Sequence, residues 1–306
     1  MLRYAAGRLV QAVIAILGVL TIVFIVMRFS GDPTLLLVPE GASQEAVAAL
    51  RKSLGFDRPI IVQYIQYLRD LASLDFGVSV VQRIPAFDIV ASRVPYTVAL
   101  AMGALVVAIG VGIPAGIAMA VWRGGWLDRT LAAVVLTGQS MPTFLSGILL
   151  ISVFGVMLGW LPTSGAGDVK ALVLPSIALG ALSMSTFARM ARIAIIDELG
   201  KDYVRAAWAR GMSKASTVGR HVLRNAAIPV VTVAALEIGN LLAGAVIVET
   251  VFAWPGIGQL AIQSIQSRDF LVVQVIVLLI STVYVLTSLV ADLVYALIDP
   301  RIRFGR

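Results

Sequence analysis

The sequence has no cysteine and a single histidine, His221, in 306 residues. Disulfides, thiolate metal sites and cysteine nucleophiles are therefore excluded, and one imidazole cannot build a histidine metal cluster. Charge is also scarce. Only 13% of residues are Asp, Glu, Lys or Arg, against roughly 25% in soluble domains. No G-x-x-x-x-G-K-[ST] loop is present, so the chain has no means of its own to hold and hydrolyse ATP, and no H-E-x-x-H is present to hold a metal. Serine and aspartate occur without a base partner, which leaves nucleophilic catalysis unsupported. No catalytic residue and no metal ligand is expected.

Apolar residues are in excess. They make up 59% of the chain, with a mean hydropathy of +0.95. That is more than one larger core could absorb and predicts an integral membrane protein. The net charge of +7 resembles a nucleic-acid signature. In a membrane chain it reads instead as loop charge that sets topology, so no nucleic-acid partner is expected.

Arg3 and Arg8 precede an apolar run from Leu9 to Met27, long enough to span the bilayer and read as an uncleaved first span. Residues 29–93 form the longest hydrophilic segment. Ser43 is placed to cap a helix running to Leu54, and Gly55 to end it; after Pro59 a second amphipathic helix puts Ile61, Tyr64, Ile65 and Leu68 on one side. This reads as a helical cap on the membrane surface, with a gate or docking role open. Further spans are expected at Tyr96–Trp122, Thr130–Leu158, Ala171–Met190, Pro229–Val248 and Phe270–Ile298. In the second, Gly112-x-x-x-Gly116 predicts a close helix–helix approach rather than a nucleotide loop. In the third, Pro142 predicts a kink beside Gln139 and Ser140. Those two polar residues either line a pathway or satisfy the loosened backbone. The fifth carries Glu237 and Asn240. Glu237 could face a central pathway, pair with an arginine of a partner helix, or sit near a membrane edge.

Six spans place both termini on one side. That side collects fifteen of the 24 basic residues and five of the 17 acids, so the positive-inside rule makes it cytoplasmic. The stretch from Asp197 to Pro229 falls there. It is polar, basic and helical in pattern, with Leu199, Tyr203, Ala206 and Arg210 at helical spacing, a break at Gly211, and Ser213 placed to cap a second helix. Ala206 and Ala207 make a small face ringed by Lys201, Arg205, Arg210 and Lys214, and Asp202 can pair with Arg205. A loop that only fixed topology would explain the charge. It would not explain two capped helices, a small-residue patch and a glycine break.

Arg205-Ala206-Ala207, three residues, Gly211, nine residues, then His221-x-Leu223-Arg224 resembles the EAA loop of ABC-importer permeases. The usual form is Glu-Ala-Ala, three residues, Gly, nine residues, Ile-x-Leu-Pro; Arg205, His221 and Arg224 depart from it. FSGDP, LRKSLGFDRPIIVQYIQYL, VETVFAWPGIGQL and YALIDPRIR extend the resemblance over most of the chain, towards the B-type permease of the dipeptide/oligopeptide branch. The resemblance implies an all-α, type I ABC-importer permease fold. Residues 1–28 would be the cytoplasmic N-terminus and first span, 29–93 an extracytoplasmic helical cap, and 94–306 a five-helix core including a coupling loop at 197–228.

It further implies a multi-pass protein of a prokaryotic cytoplasmic membrane that moves di- or oligopeptides. The same machinery carrying nickel or glutathione is the alternative, and an ATP-independent transporter or channel is the reading from another class. The implied partners are a second homologous permease, two ABC ATPase subunits that hold ATP and Mg, and an extracytoplasmic substrate-binding protein. Asp202, Tyr203, Arg205, Ala206, Ala207, Arg210, Gly211 and Lys214 would form the ATPase-coupling surface. Glu237, Asn240, Gln139 and Ser140 are the candidates for the translocation pathway.

Overall fold

A computed structural model describes residues 2–29, 43–53 and 55–298. The expectations for Leu54, for most of FSGDP and for the tail beyond Ile298 lie outside them. The described residues are mostly helical, with no strand among them beyond an isolated bridge between Val78 and Pro85. The helices are α1 (Leu2–Phe29), α2 (Gln44–Ser53), α3 (Ile60–Ala72), α4 (Ala86–Val121), α5 (Trp126–Ser140), α6 (Thr143–Leu150), α7 (Val173–Leu199), α8 (Asp202–Ala209), α9 (Lys214–Thr217), α10 (Leu223–Val251), α11 (Ile257–Gln266) and α12 (Phe270–Ile298). A π-helical segment, Ile151–Met157, extends α6, and another, Val218–Val222, joins α9 to α10.

The chain divides into two compact units. One comprises Met1–Val94 and Leu260–Val285. Here Ser43 caps α2 as expected, its hydroxyl accepting from Ala46 N at 3.2 Å. Gly55 follows at φ +71°. α3 turns Tyr64 and Tyr67 onto Phe24 of α1, at ring centroid distances of 5.2 and 5.6 Å, and Tyr64 shares a 2.6 Å hydrogen bond with Thr21. The side expected to be apolar is split: Tyr64 and Leu68 are half-buried, while Ile61 and Ile65 are exposed. Burial lifts the Tyr67 phenol to about 12, with nearby Tyr64 adding to the shift, and its hydroxyl has no hydrogen-bond partner. It lines a cavity of about 140 Å³ together with Asp70, Asp75 and Gln274.

The other unit comprises Pro95–Gln259 and Leu286–Arg306. α7 and α10 form its main helix pair, and α5 and α6 also pack on α7. Leu100 and Ala104 of α4, Leu174 and Leu179 of α7, and Leu241 and Ala245 of α10 share one buried cluster. The glycine seam behaves as the spacing predicts. A Cβ on Gly112 would lie 2.6 Å from Met184 O and 3.1 Å from Phe187 Cβ, so only glycine lets α4 approach α7 this closely.

Three helices are long and apolar enough to cross a membrane among the described residues: Ala86–Val121, Val169–Leu199 and Phe270–Leu289. The count is four if the α5–α6 pair is one span; Val13–Val26 and Gly239–Val251 are shorter apolar stretches. Boundaries differ from the sequence expectation in several places; α10, expected from Pro229 to Val248, runs from Leu223 to Val251 with Pro229 inside it. α4 starts ten residues earlier, at Ala86 instead of Tyr96. Its Pro95 lies inside the helix, with Pro95 and Ala91, whose carbonyl the proline leaves without an amide, both exposed. The third span is broken, not just kinked: α5 and α6 meet at 108° across Met141 and Pro142. Met141 is extended (ψ 130°), the conformation a following proline imposes. Finally, α7 runs on through Asp197 and Glu198 to Leu199, so its charged end continues the span.

Candidate functional site

The polar stretch forms one short helix held between two long ones. α7 ends at Gly200, α8 occupies Asp202–Ala209, and the turn after it centres on Gly211 at φ +82°. Gly211 N donates to Trp208 O at 2.9 Å and Met212 N to Ala207 O at 3.2 Å, the left-handed stop that glycine permits. Ser213 Oγ then accepts from Ser216 N at 3.3 Å, the expected cap. The second helix is not a separate piece. α9 passes through the Val218–Val222 segment directly into α10, so a displacement of the turn acts on that span directly.

α8 buries Val204, a residue that the spacing along the sequence does not single out. Val204 is fully buried against Ala194, Ile195, Val222 and Ala226. The break at Gly200 resets the helical phase, so positions counted from Leu199 no longer predict the inward side. Asp202, Arg205, Ala206, Arg210, Gly211 and Lys214 are exposed, and Ala207 is half-buried. Arg205 lies 3.6 Å from Asp202 with both side chains in solvent, a pair worth little by itself. A Cβ on Gly211 would meet nothing within 4 Å. The small-residue surface is therefore open, flanked by cations, and carried on an anchored helix.

Two polar groupings at the ends of the long helices were not visible in the sequence. Glu198, at the end of α7, accepts from Lys201 Nζ and from the Tyr203 hydroxyl, the latter at 2.7 Å. Asn225 Nδ2 of α10 donates to the same hydroxyl at 3.3 Å. Burial, and then the bond to Glu198, raises the Tyr203 phenol; the bond to Glu198 chiefly raises the Lys201 ammonium. Tyr203 therefore remains a donor at neutral pH. In the second grouping, Asp128 takes a two-pronged contact from Arg192 of α7, Nε at 3.1 Å and Nη2 at 3.0 Å, and accepts from Gly124 N at 2.9 Å. Forked pairing of this kind fixes geometry as well as charge. It joins the α4–α5 turn to α7.

The pathway candidates fall into two places. Glu237 is buried in the α7–α10 contact, accepting from Ser183 Oγ at 2.5 Å and from Asn240 Nδ2 at 3.4 Å. Gln139 and Ser140 end α5 at the break, where Ser140 Oγ donates to Leu136 O at 2.9 Å. Ser185, two residues beyond Ser183 on α7, donates to Val135 O of α5 at 2.8 Å. Glu249 lies in the VETVFAWPGIGQL stretch, but nothing in the sequence assigned it a partner. This fully buried carboxyl group accepts from Thr97 Oγ1 (2.7 Å), Gly258 N (2.6 Å) and Gln259 N (3.0 Å), while Thr97 Oγ1 accepts from Ile257 N at 2.8 Å. Glu249 and Thr97 thus satisfy the free amides that open α11. Trp254 Nε1 donates to Tyr96 O at 2.9 Å beside them. Among the described residues no His/Cys/Asp/Glu group could hold a metal ion.

Residues 112–304 match the family of binding-protein-dependent transport system inner membrane components. Residues 1–101 match the N-terminal family of the same membrane components. The chain is 42% identical over 305 residues to the glutathione transport system permease protein GsiC of Escherichia coli K12, covering 99% of this chain and 100% of that protein. The protein of that name from Salmonella typhimurium LT2 gives the same identity and coverage. Among solved structures, the inward-facing MetNI methionine ABC transporter superposes with a TM-score of 0.60 at 21% identity, over 70% of this chain and 98% of that one.

Proposed function

The chain belongs to the binding-protein-dependent transport system inner membrane components and is a multi-pass ABC-importer permease of the inner membrane; from that premise we propose that it forms half of a peptide translocation pathway driven by separate ATPases. It pairs with a second homologous permease, two ABC ATPase subunits bind ATP and Mg, and a substrate-binding protein delivers cargo from outside. Six spans cross the membrane with both termini in the cytoplasm, and residues 29–93 cap the outer face. The charge asymmetry between the loops supports that orientation.

The observation that carries the coupling role is the α8 surface. An eight-residue helix and the turn after it present Ala206, Gly211 and part of Ala207 to solvent while Val204 roots the helix in the permease. Small residues let an ATPase groove close on the backbone. Arg205, Arg210 and Lys214 at its rim suit acidic partners, and Asp202 suits a basic one. Closure of the ATPases displaces α8 as a rigid body. α7 and α10 carry that displacement to the level of Glu237, Asn240, Gln139 and Ser140, the polar groups assigned to the pathway.

The cargo is a small peptide. Glutathione, named for relatives at 42% identity over the whole chain, is the first ligand to test. Its amine would suit an acidic partner such as Glu237, and its carboxylates would suit donors such as Asn240, Gln139 and Ser140. A tagged chain should co-purify with two ATPases and a second permease, and recovery of the chain alone would refute the assembly. The partner binding protein should bind glutathione or a di- or oligopeptide by calorimetry, whereas tight Ni²⁺ binding with no peptide affinity would overturn the peptide assignment. Gly211→Asp should abolish ATP-dependent uptake while the permease still inserts and folds; normal uptake would refute the coupling surface.

A further inference from the structure

We propose that Glu198 and Asn225 are positioning residues that, through the Tyr203 hydroxyl, gear the short helix α8 to both of the long helices flanking it. The proposal rests on the coupling reading above and adds the residues that make the coupling stiff. α8 spans eight residues, about 12 Å, and an interruption of the helix bounds it on each side, at Gly200 and at Gly211. Val204 is its one fully buried apolar anchor. Apolar contact is non-directional, so a helix held by Val204 alone could pivot about that point when pushed. Hydrogen bonds are directional.

Tyr203 adjoins Val204, and its hydroxyl works in both directions. It donates to Glu198 Oε2 of α7 at 2.7 Å and accepts from Asn225 Nδ2 of α10 at 3.3 Å. Lys201, in the link between α7 and α8, closes on the same carboxylate. One phenol therefore ties α8 to the last turn of the span before it and the first turn of the span after it. A push on α8 then moves both spans together instead of being lost as rotation of α8.

The complete importer, with both permeases, the ATPases and the binding protein, is reconstituted in proteoliposomes, and ATP hydrolysed per substrate imported is measured. Asn225→Ala and Glu198→Gln should each raise that ratio about two- to tenfold, the effect of losing one to two hydrogen bonds' worth of stiffness, while the ATPases remain bound. The double variant Tyr203→Phe/Asn225→Ala should be no worse than Tyr203→Phe alone, because both act through one hydroxyl. Asn225 is exposed, so its variant reads out even where Glu198→Gln fails to assemble. An unchanged ratio overturns the proposal, including the case where only the thermal midpoint falls, since that describes a stabilising contact. Gly211→Asp in the same assay separates the two claims. If it uncouples while Asn225→Ala does not, only the gearing fails; if Gly211→Asp transports normally, the coupling surface itself fails.

Discussion

Glu249→Ala should destabilise the permease far more than Glu249→Gln, although both remove the same acidic group. The wild-type carboxyl takes Gly258 N and Gln259 N on Oε2 and Thr97 Oγ1 on Oε1, with no exposure to solvent. Alanine orphans both backbone amides and leaves the Thr97 hydroxyl without its acceptor. At about 1–3 kcal/mol for each buried donor left unpaired, the two amides alone cost about 2–6 kcal/mol. Loss of an acid facing the start of α11 adds about 0.3–1 kcal/mol. Glutamine keeps a carbonyl oxygen for the two amides, and its NH₂ can donate to Thr97 Oγ1. The hydroxyl oxygen holds only Ile257 N at present. The glutamine cost is therefore about 1–2 kcal/mol. Thr97→Val falls between, since it leaves Ile257 N unpaired and removes one donor to Glu249. Thermal unfolding of the purified complex in nanodiscs, followed by intrinsic fluorescence, ranks the three. The reasoning is refuted if alanine lowers the midpoint no further than glutamine, because the buried amides would then not depend on this side chain.

Gly112→Leu should prevent α4 from seating on α7, because even a Cβ there lies 2.6 Å from Met184 O; misassembly by size-exclusion chromatography is expected, and a monodisperse active variant would contradict the close approach. Gly211→Val should cost about 1–2 kcal/mol of local strain at φ +82°, whereas Gly211→Asn, which tolerates that region, should keep most of the ATPase association measured by pull-down. Tyr67→Phe should be neutral or stabilising by up to about 1 kcal/mol, since the buried hydroxyl it removes has no partner. The Tyr67 pKa is raised, so any stability its neutral form contributes is complete below the ordinary value of 10.0 and is lost as pH rises through about 12. An ultraviolet titration should show a late-titrating tyrosine component that Tyr67→Phe reduces; no difference between wild type and variant would show the phenol is not buried.

Features that depend on neighbours in the chain were legible from the residues. Ser43 and Ser213 cap, and Gly55 and Gly211 terminate, because capping and left-handed turns are decided within four residues. Gly112 and Gly116 announced a close helix approach by their spacing alone. Pro142 announced an interruption, though only the packed structure sets its 108°. The inward position of Val204 was not legible, because the helical spacing counted from Leu199 runs across the break at Gly200. The polar insert's second helix merged with α10 because neither Gly219 nor Pro229 ends the helical run.

Composition and hydropathy by themselves determined that this is a membrane protein, and the pattern around Ala206, Ala207 and Gly211, with the motifs along the rest of the chain, determined the permease family. Both are properties of a sum or of a short spacing, and neither requires a fold. Tertiary structure alone decided the partners of the buried carboxyl groups. Glu249 meets Thr97 across 152 positions, Glu237 meets Ser183 across 54, and Tyr203 meets Asn225 across 22. A buried polar group must be paired wherever the packing of helices puts it, and which helices meet is settled by the whole chain at once.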